Sequence, residues 1–374
     1  MKQIIQPGAT IGIIGGGQLG RMMAIAAKQM GYKIAVLEPT PHSPCGQVAD
    51  IEIEAAYDDR EGAKKLAEVA DVITYEFENI DDETAEWLTK KSDFPQGADV
   101  LRVTQHRLIE KRTLERIGVP VAPFYPIEHQ DAIEPAIETI GFPAVLKTCR
   151  GGYDGKGQRV VKTKEQLIEA AAELLAHGDC VLEAWVPFSK EISVIATRSR
   201  HGEIAVFPIA ENEHRNNILF RTSVPARVSN DVAKRATAIA EKIVNDLNVV
   251  GTLAVEMFLL EDGTIYVNEL APRPHNSGHY TIEACETSQF EQHIRAVCGL
   301  PLGPTTLRSA VVMENILGEQ LEGVLASLAR LSDVKLHLYG KAEARPKRKM
   351  GHLTAIGQTV EEAQEKLDRF MKRK

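Results

Sequence analysis

The chain has few cysteines, and no two of them are spaced for a metal or redox site. Its five cysteines are scattered over 374 residues without a CxxC pair, which argues against a disulfide framework and favours a reducing cytosol. No apolar run reaches the roughly 20 residues of a membrane span. The N-terminus also lacks a charged-then-apolar signal pattern with a cleavage site. These absences predict a soluble cytoplasmic protein with no membrane partner.

An excess of positive charge is absent as well. The chain carries 44 lysines and arginines against 52 aspartates and glutamates, a net charge of −8. Domains that bind nucleic acid usually have a basic surface, so nucleic acid is not expected as the main partner. The sequence shows no internal repeat and no low-complexity segment. Its length exceeds one core of typical size and predicts two or three domains.

The first hundred residues alternate between strand and helix patterns. Thr10–Ile14, Lys33–Leu37 and Asp71–Phe77 are predicted strands, and Arg21–Met30 and Ala63–Val69 are predicted helices. This βαβ rhythm is typical of a parallel sheet with helices on both faces.

Beyond residue 104 the pattern changes to α+β. Thr104 is predicted to cap a helix at Gln105–Ile117, and the proline-rich stretch at 119–123 predicts a boundary. Ala144–Thr148 and Gln158–Val161 are predicted strands on either side of a glycine-rich loop.

Two acidic residues are predicted to face each other across a β-hairpin. Thr252–Leu260 and Ile265–Leu270 are strand-like, and the Asp-Gly pair at 262–263 is a strong signal for a two-residue turn. With that turn, Glu256 lies directly opposite Glu269. Like charges opposite each other in a ladder are destabilising, so a cation is expected between them, and Mg²⁺ with substrate phosphates suits such ligands. The alternative is a surface hairpin with two solvated carboxylates.

A glycine-rich turn follows the first predicted strand. Gly15, Gly17 and Gly20 match the GxGxxG dinucleotide fingerprint, and Glu38 at the end of the next strand could hold a ribose. A glycine-rich turn at a helix N-terminus can equally present N–H groups to another phosphate, or can be a tight turn only. From these residues all three alternatives stay open.

A second glycine-rich segment occupies residues 147–158. Three of its glycines, Gly152, Gly155 and Gly157, could bring backbone N–H groups to phosphate oxygens, and Lys156 could bring positive charge. It lacks the GK[ST] sequence of a Walker A loop, and a flexible hairpin tip is the alternative.

Three further polar segments carry chemistry. The predicted strand ending in Glu183–Val186, with Glu191 nearby, could read an adenine edge, although an edge strand is the alternative. The segment Asn268–His279 contains Arg273, which suits planar anions such as bicarbonate. Five cations between residues 341 and 349 could form a phosphate trap or only a solvated loop.

Together these segments resemble the ATP-grasp superfamily. Within it, the chain resembles the N5-carboxyaminoimidazole ribonucleotide synthetase family, the ATPase subunit of phosphoribosylaminoimidazole carboxylase. The matching blocks are IGIIGGGQLGRMM at 11–23, TYEFENI at 74–80, GGYDGKGQ at 151–158, EAWV at 183–186, NELAPRPHNSGHYTIEAC at 268–285 and, more loosely, RPKRKMGH at 345–352. The resemblance implies a mixed α/β and α+β fold of three domains. These are an N-terminal βαβ domain at 1–104, an ATP-grasp domain at 105–300 with a flap subdomain at about 120–182, and a small C-terminal domain at 301–374.

The resemblance also implies an activity. ATP, bicarbonate and 5-aminoimidazole ribonucleotide would give N5-carboxyaminoimidazole ribonucleotide, ADP and phosphate through carboxyphosphate, in purine synthesis, with Mg²⁺ and in a homodimer. The alternatives are another purine-pathway ATP-grasp ligase, such as formate-dependent glycinamide ribonucleotide transformylase, a non-catalytic nucleotide sensor, or an NAD-dependent oxidoreductase.

Residue roles follow from the same resemblance. ATP would contact Arg107, Lys147, Gly152, Tyr153, Asp154, Gly155, Lys156, Gly157, Gln158, Glu183, Ala184, Trp185, Val186, Glu191, His214, Asn268 and Glu269. Mg²⁺ would be held by Glu256 and Glu269. The residues expected to act on bicarbonate and carboxyphosphate are Arg273, His275 and Asn276, with Asp154 as a further catalytic residue. The ribonucleotide would contact Gln18, Leu19, Glu76, Tyr153, Asp154, Lys156, Arg348 and Lys349.

Overall fold

The computed structural model describes residues 4–152 and 155–372. Its N-terminal elements are β1 (Thr10–Ile14), α1 (Gln18–Gln29), β2 (Lys33–Leu37), β3 (Ile51–Ile53), α2 (Arg60–Val69), β4 (Val72–Tyr75), α3 (Asp82–Lys91) and α4 (Asp99–Thr104). The four strands form a parallel sheet in the order β3-β2-β1-β4. Helix α1 packs on one face and α2 on the other. The predicted βαβ arrangement is therefore confirmed.

A small antiparallel sheet follows. Its elements are α5 (Arg107–Arg116), β5 (Phe124–Ile127), α6 (Ile133–Ile140), β6 (Ala144–Thr148), β7 (Gln158–Val161), α7 (Lys164–Leu174) and β8 (Cys180–Ala184). The strand order is β5-β8-β6-β7, and α6 and α7 pack together on one face of it. The glycine-rich segment at 147–158 connects β6 to β7 of this sheet.

The start of α5 differs from the sequence prediction. Thr104 is the last residue of α4, and its hydroxyl donates to the carbonyl of Val100 (3.0 Å). The residue that caps α5 is His106, and α5 begins at Arg107. The prediction of Thr104 as an N-cap is wrong because the residues before it already form a helical turn that accepts its hydroxyl.

The rest of the chain builds a nine-stranded sheet. Its strands are β9 (Lys190–Arg198), β10 (Ile204–Val206), β11 (Ala210–Arg215), β12 (Ile218–Val224), β13 (Gly251–Leu259), β14 (Ile265–Ala271), β15 (Ala310–Leu317), β16 (Lys335–Leu338) and β17 (Lys349–Gly357). Its helices are α8 (Asn230–Asp246), α9 (Thr281–Ala284), α10 (Gln289–Cys298), α11 (Leu321–Leu325) and α12 (Val360–Met371). The order is β14-β13-β9-β11-β12-β15-β17-β16, with β10 beside β9. Because β15 pairs with β12, the strands after residue 301 extend the same sheet.

Helix α8 supports the strand that carries Glu256. The Ser229 side chain accepts from the N–H of Val232 and begins the helix. Val232, Ala236 and Ala240 lie four residues apart, so they share the face that is buried in the core with β9 and β13. No helix among the described residues combines the length and the apolar character needed to cross a bilayer.

The turn of the β13–β14 hairpin also differs from its prediction. The N–H of Leu260 donates to the carbonyl of Thr264 (2.9 Å), so the loop has three residues, 261–263. Gly263 has a positive φ of +86°, as the last residue of such a loop commonly does. The predicted two-residue turn is wrong, because an Asp-Gly pair fits both loop lengths.

A β-bulge restores the register that the longer loop shifts. Met257 pairs with Val267, whereas Glu256 pairs with Glu269, which leaves Asn268 as the extra residue. The predicted facing pair of carboxylates is therefore confirmed.

Candidate active site

Two adjoining cavities open between the three sheets, with volumes of about 470 and 320 Å³. The first cavity is bounded by the loop after β4, by α5 and by the segment after β14. The second cavity is bounded by β8, β9 and the β13–β14 hairpin. Residues that line both are Gly155, Gln158, Glu269, His275, Asn276 and Lys349. The shared wall means that ligands in the two cavities would meet there.

Most of the predicted site residues line these cavities. Those in the first cavity are Gln18, Leu19, Glu76, Arg107, Gly152, Gly155, Lys156, Gln158, Glu269, Arg273, His275, Asn276 and Lys349. Those in the second cavity are Lys147, Gly155, Gln158, Glu183, Ala184, Trp185, Val186, Glu191, His214, Glu256, Asn268, Glu269, His275, Asn276 and Lys349. Gly157 and Arg348 are described but line neither cavity. Tyr153 and Asp154 lie outside the described residues.

The facing carboxylates fit a hard divalent cation. Burial, together with the charge of Glu269, raises the pKa of Glu256 to about 7. Asn268 is the bulged residue next to Glu269, and its buried Oδ1 has no hydrogen-bond partner among the described residues. The described residues contain no group of three or more His, Cys, Asp or Glu side chains arranged to hold a metal. A Mg²⁺ ion here would therefore need oxygen ligands from Asn268, phosphate or water besides the two carboxylates.

A buried charge cluster holds Lys147 at the second cavity. The Lys147 ammonium lies 3.0 Å from a carboxylate oxygen of Glu183, and the Lys111 ammonium lies 3.2 Å from the same oxygen. Burial alone would raise the pKa of Glu183, but Lys111, Lys147 and Arg107 lower it to about 2. The cluster keeps an excess of positive charge beside the cavity, as a phosphate site requires.

Arg107 pairs with one carboxylate at the shared wall and lies in the same helix as a second. Its guanidinium lies 3.7 Å from Glu269. Glu110 accepts from the N–H of Leu270 (3.1 Å), and burial raises the pKa of Glu110 to about 8, against the effect of Arg107. Burial thus disfavours the charged form of Glu110, and Glu269 is the carboxylate that pairs with Arg107.

The remaining wall of the second cavity is partly aromatic. Phe188 and Phe258 stack with ring centroids 4.6 Å apart, and Trp185 is exposed beside them. Glu191 accepts a hydrogen bond from His214 (2.7 Å). Burial alone would lower the pKa of His214, but the hydrogen bond to Glu191 and the charge of Glu256 outweigh burial and raise that pKa. Apolar rings next to polar groups suit a nucleoside.

In the first cavity, Arg273 forms a two-point ion pair with Glu78. Its Nε and Nη2 donate to the two carboxylate oxygens (2.7 and 3.3 Å). The pair fixes the guanidinium, and Nη1 donates to the carbonyl of Pro274 (3.4 Å), so the remaining N–H groups are left for a small anion.

His275 is held as a neutral hydrogen-bond donor. Burial, with the charges of Arg273 and Lys349, lowers its pKa well below the ordinary histidine value. The backbone N–H of Ser277 donates to Nδ1 (3.3 Å), so the proton of the neutral ring is on Nε2. That Nε2 lies 3.6 Å from a carboxylate oxygen of Glu256.

The glycine turn does not have the predicted open N–H groups. The N–H of Gly16 donates to Glu38 (2.7 Å), and those of Gly17 and Gly20 donate to Glu76. A Cβ on Gly17 would lie 2.5 Å from Glu76, so glycine is required for this approach. The carboxylates occupy the donors that a phosphate would use. This argues against a dinucleotide pyrophosphate on these three glycines, whereas the predicted contact of Gln18 and Leu19 with the ribonucleotide stays a prediction.

The basic loop is mostly not part of the cavity wall. Arg345 pairs with Glu343, and Arg348 donates to the carbonyl of Glu343 (3.0 Å). Lys347 is exposed, whereas Lys349 lines both cavities. The side chain of Arg348 turns back onto its own loop and lines neither cavity, so its predicted contact with the substrate stays a prediction.

Sequence reasoning missed three residues of this site. Glu110 follows Arg107 by three positions in α5, so helical spacing could have placed both on one face. Glu78 lies two residues after the predicted Glu76, just past the end of β4. Asn315 bonds to Asn276 from 39 positions away, and no local pattern indicates that contact.

Comparisons with known proteins agree with this architecture. Residues 8–105 match the ribonucleotide synthetase preATP-grasp domain, residues 112–290 the ATP-grasp domain, and residues 311–366 the phosphoribosylaminoimidazole carboxylase C-terminal domain. A crystal structure of N5-carboxyaminoimidazole ribonucleotide synthetase in complex with ADP matches with a TM-score of 0.96 and 56% identity, over 99% of this chain and 98% of that one. The Aspergillus clavatus N5-carboxyaminoimidazole synthase, in complex with ADP and 5-aminoimidazole ribonucleotide, matches with a TM-score of 0.91 and 31% identity over 99% of both chains.

Sequence comparison gives the same family. The N5-carboxyaminoimidazole ribonucleotide synthase of Bacillus subtilis strain 168 is 56% identical over 373 residues, which cover 100% of this chain and 98% of that protein. The synthase of Staphylococcus haemolyticus is 47% identical over 96% of this chain and 95% of that protein. The chain therefore belongs to the N5-carboxyaminoimidazole ribonucleotide synthase family of ATP-grasp ligases.

Proposed function

We propose that this chain uses ATP to carboxylate 5-aminoimidazole ribonucleotide with bicarbonate, giving N5-carboxyaminoimidazole ribonucleotide, ADP and phosphate in purine synthesis. The observation that carries the proposal is the shared wall of the two cavities, where Glu269, His275 and Asn276 face both. A phosphoryl donor in one cavity and the ribonucleotide in the other would both reach a small anion at that wall. Such a reaction depends mainly on positioning and on neutralising charge.

ATP occupies the second cavity in this proposal. The stacked Phe188 and Phe258 suit the base, and Lys147 with Arg107 suits the phosphates. Mg²⁺ would be held by Glu256, Glu269 and Asn268, where it would neutralise phosphate charge.

Bicarbonate lies between the cavities in this proposal. Arg273, fixed by Glu78, would hold its oxygens, and the Nε2–H of His275 would donate to it rather than take its proton. Phosphorylation of bicarbonate makes carboxyphosphate, which is a better electrophile. The exocyclic amine of the ribonucleotide then attacks the carboxyl carbon of carboxyphosphate, and phosphate leaves. The first cavity, with Gln18, Leu19 and Glu76, takes the ribonucleotide in this proposal.

We also propose a cytoplasmic homodimer. The five cysteines are free and buried, which suits a reducing compartment, and the family resemblance supports the dimer. Light scattering on the purified protein tests the assembly, and a monomer at micromolar concentration would contradict it.

Phosphate release with ATP, bicarbonate and 5-aminoimidazole ribonucleotide, omitting each in turn, tests the reaction. We expect full turnover only with all three. A separate reaction with ATP, formate and glycinamide ribonucleotide tests the related transformylase, and turnover there without bicarbonate would contradict the proposal. Phosphate release in no mixture would favour a nucleotide sensor.

A further inference from the structure

Asn315 reaches the shared wall from the C-terminal part of the sheet. It lies on β15 and is 4% exposed. Its amide forms a reciprocal pair with that of Asn276: Asn276 Nδ2 donates to Asn315 Oδ1 (2.9 Å), and Asn315 Nδ2 donates to Asn276 Oδ1 (2.6 Å). Asn315 Nδ2 also donates to the carbonyl of Leu219 (2.7 Å).

The Leu219 contact determines the orientation of both amides. A backbone carbonyl can only accept, so the NH₂ group of Asn315 must face Leu219. The Oδ1 of Asn315 is then available only for the NH₂ group of Asn276. Asn276 is thereby fixed with its Oδ1 toward Asn315, and its second N–H has no acceptor among the described residues.

We propose that Asn315 is a positioning residue that makes Asn276 present an N–H, not a carbonyl oxygen, to the anion at the shared wall. The inference rests on the proposed role of Asn276 in binding bicarbonate and carboxyphosphate. The unprotonated, charged oxygens of these anions only accept hydrogen bonds, so an amide turned over would place its own oxygen against one of them. Asn315 therefore favours the binding of an anion because it orients the amide of Asn276.

The test is Asn315→Ala, with steady-state ADP formation measured in CO₂-depleted buffer against bicarbonate, at saturating ATP and ribonucleotide. We expect the KM for bicarbonate to rise about tenfold or more, because a hydrogen bond to a charged group is lost when the amide is no longer fixed. The KM for ATP should change much less. An equal rise in both constants, or no change in either, would overturn the inference.

Gln292→Ala is the matched control for lost stability. Gln292 is fully buried in α10, and its amide makes two hydrogen bonds with Gly303 (2.7 and 2.8 Å) away from both cavities. We expect both variants to lower the melting temperature, and Asn315→Ala alone to raise the KM for bicarbonate. A rise of the same size in Gln292→Ala would show that general loosening is the cause.

A double-mutant cycle separates this inference from the proposed function. If Asn315 acts through Asn276, then Asn276→Ala with Asn315→Ala should be no worse for bicarbonate than Asn276→Ala alone. Additive losses would overturn the inference. Normal kinetics in Asn276→Ala would instead refute the proposed role of Asn276. A defect in Asn276→Ala with normal kinetics in Asn315→Ala would refute only the positioning role.

Discussion

Replacing Glu183 by glutamine tests the buried charge cluster directly. The side chains of Lys111, Glu183 and Lys147 are 1%, 4% and 11% exposed, and both ammonium groups lie within 3.2 Å of one Glu183 oxygen. Glutamine keeps the shape but removes the charge, so two lysines remain in a low-dielectric site without this counterion. Breaking a buried pair by removing one partner is strongly destabilising.

The size of the effect follows from the pKa of Glu183. The fold lowers it from 4.5 to about 2. A shift of one pKa unit corresponds to about 1.4 kcal/mol, so the cluster favours the charged form of Glu183 by about 3 kcal/mol. Because the pKa is lower in the folded state, this stabilisation is present above about pH 4.5 and is lost as the pH falls toward about 2.

Urea unfolding at pH 7, followed by circular dichroism, measures the loss. We expect Glu183→Gln to lower the apparent free energy of unfolding by about 3 kcal/mol. The control is Glu173→Gln, because Glu173 pairs with Arg159 at the surface of the same small sheet and should cost at most about 1 kcal/mol. Adding Lys111→Met to Glu183→Gln removes one uncompensated charge and should recover part of the stability.

Two results would refute this reasoning. One is a Glu183→Gln protein that is no less stable than Glu173→Gln. The other is a double variant that is less stable than Glu183→Gln alone, because that outcome would mean that Lys111 stabilises the fold by packing and not as part of the charge cluster.

Three further predictions concern the cavities. Glu269→Gln should lower the rate of ADP formation at least about a hundredfold by weakening the metal site, whereas Glu261→Gln in the exposed hairpin loop should not; equal rates would contradict the metal role. The pKa of Glu256 is raised to about 7, so a proton competes with Mg²⁺ for this carboxylate near neutral pH. The apparent affinity for Mg²⁺, measured by calorimetry with ADP, should therefore rise as the pH increases through 7 and then level off. A flat profile from pH 6 to 8 would argue against Glu256 as a metal ligand. Gly17→Ala should destabilise the protein by about 1–3 kcal/mol in thermal unfolding, because its Cβ would overlap Glu76; an unchanged melting temperature would contradict the described turn.

The hairpin shows how far local pattern reasoning extends. Alternating apolar residues and an Asp-Gly pair predicted two strands and the facing of Glu256 and Glu269, and the structure confirms both. The turn length and the bulge were not predicted, and their two shifts of register cancel. An Asp-Gly pair is compatible with either loop, and nothing in composition marks Asn268 as a bulge. The pair was therefore predicted correctly from a register that was partly wrong.

The glycine turn shows the opposite limit. Spacing predicted a strand, a turn and a helix, and the structure confirms them. Spacing did not predict that Glu38 and Glu76 would take the N–H groups of the turn, because these carboxylates come from the ends of two other strands. Which ligand a turn accepts depends on such long-range partners, so a motif that fits the backbone can still have the wrong chemistry.

The sheet connections determine which walls of the cavities are fixed relative to each other. The hairpin with Glu256 and Glu269, and the strands that carry Asn315 and Lys349, belong to one nine-stranded sheet. At the junction, β12 and β15 share a ladder and a partly buried ion pair between Arg221 and Glu314 (2.7 Å). Moving these walls apart would break that ladder, whereas the glycine-rich segment lies on the separate β5–β8 sheet. A change in cavity width is therefore expected to come from that small sheet, while the metal carboxylates and the amide pair keep their geometry.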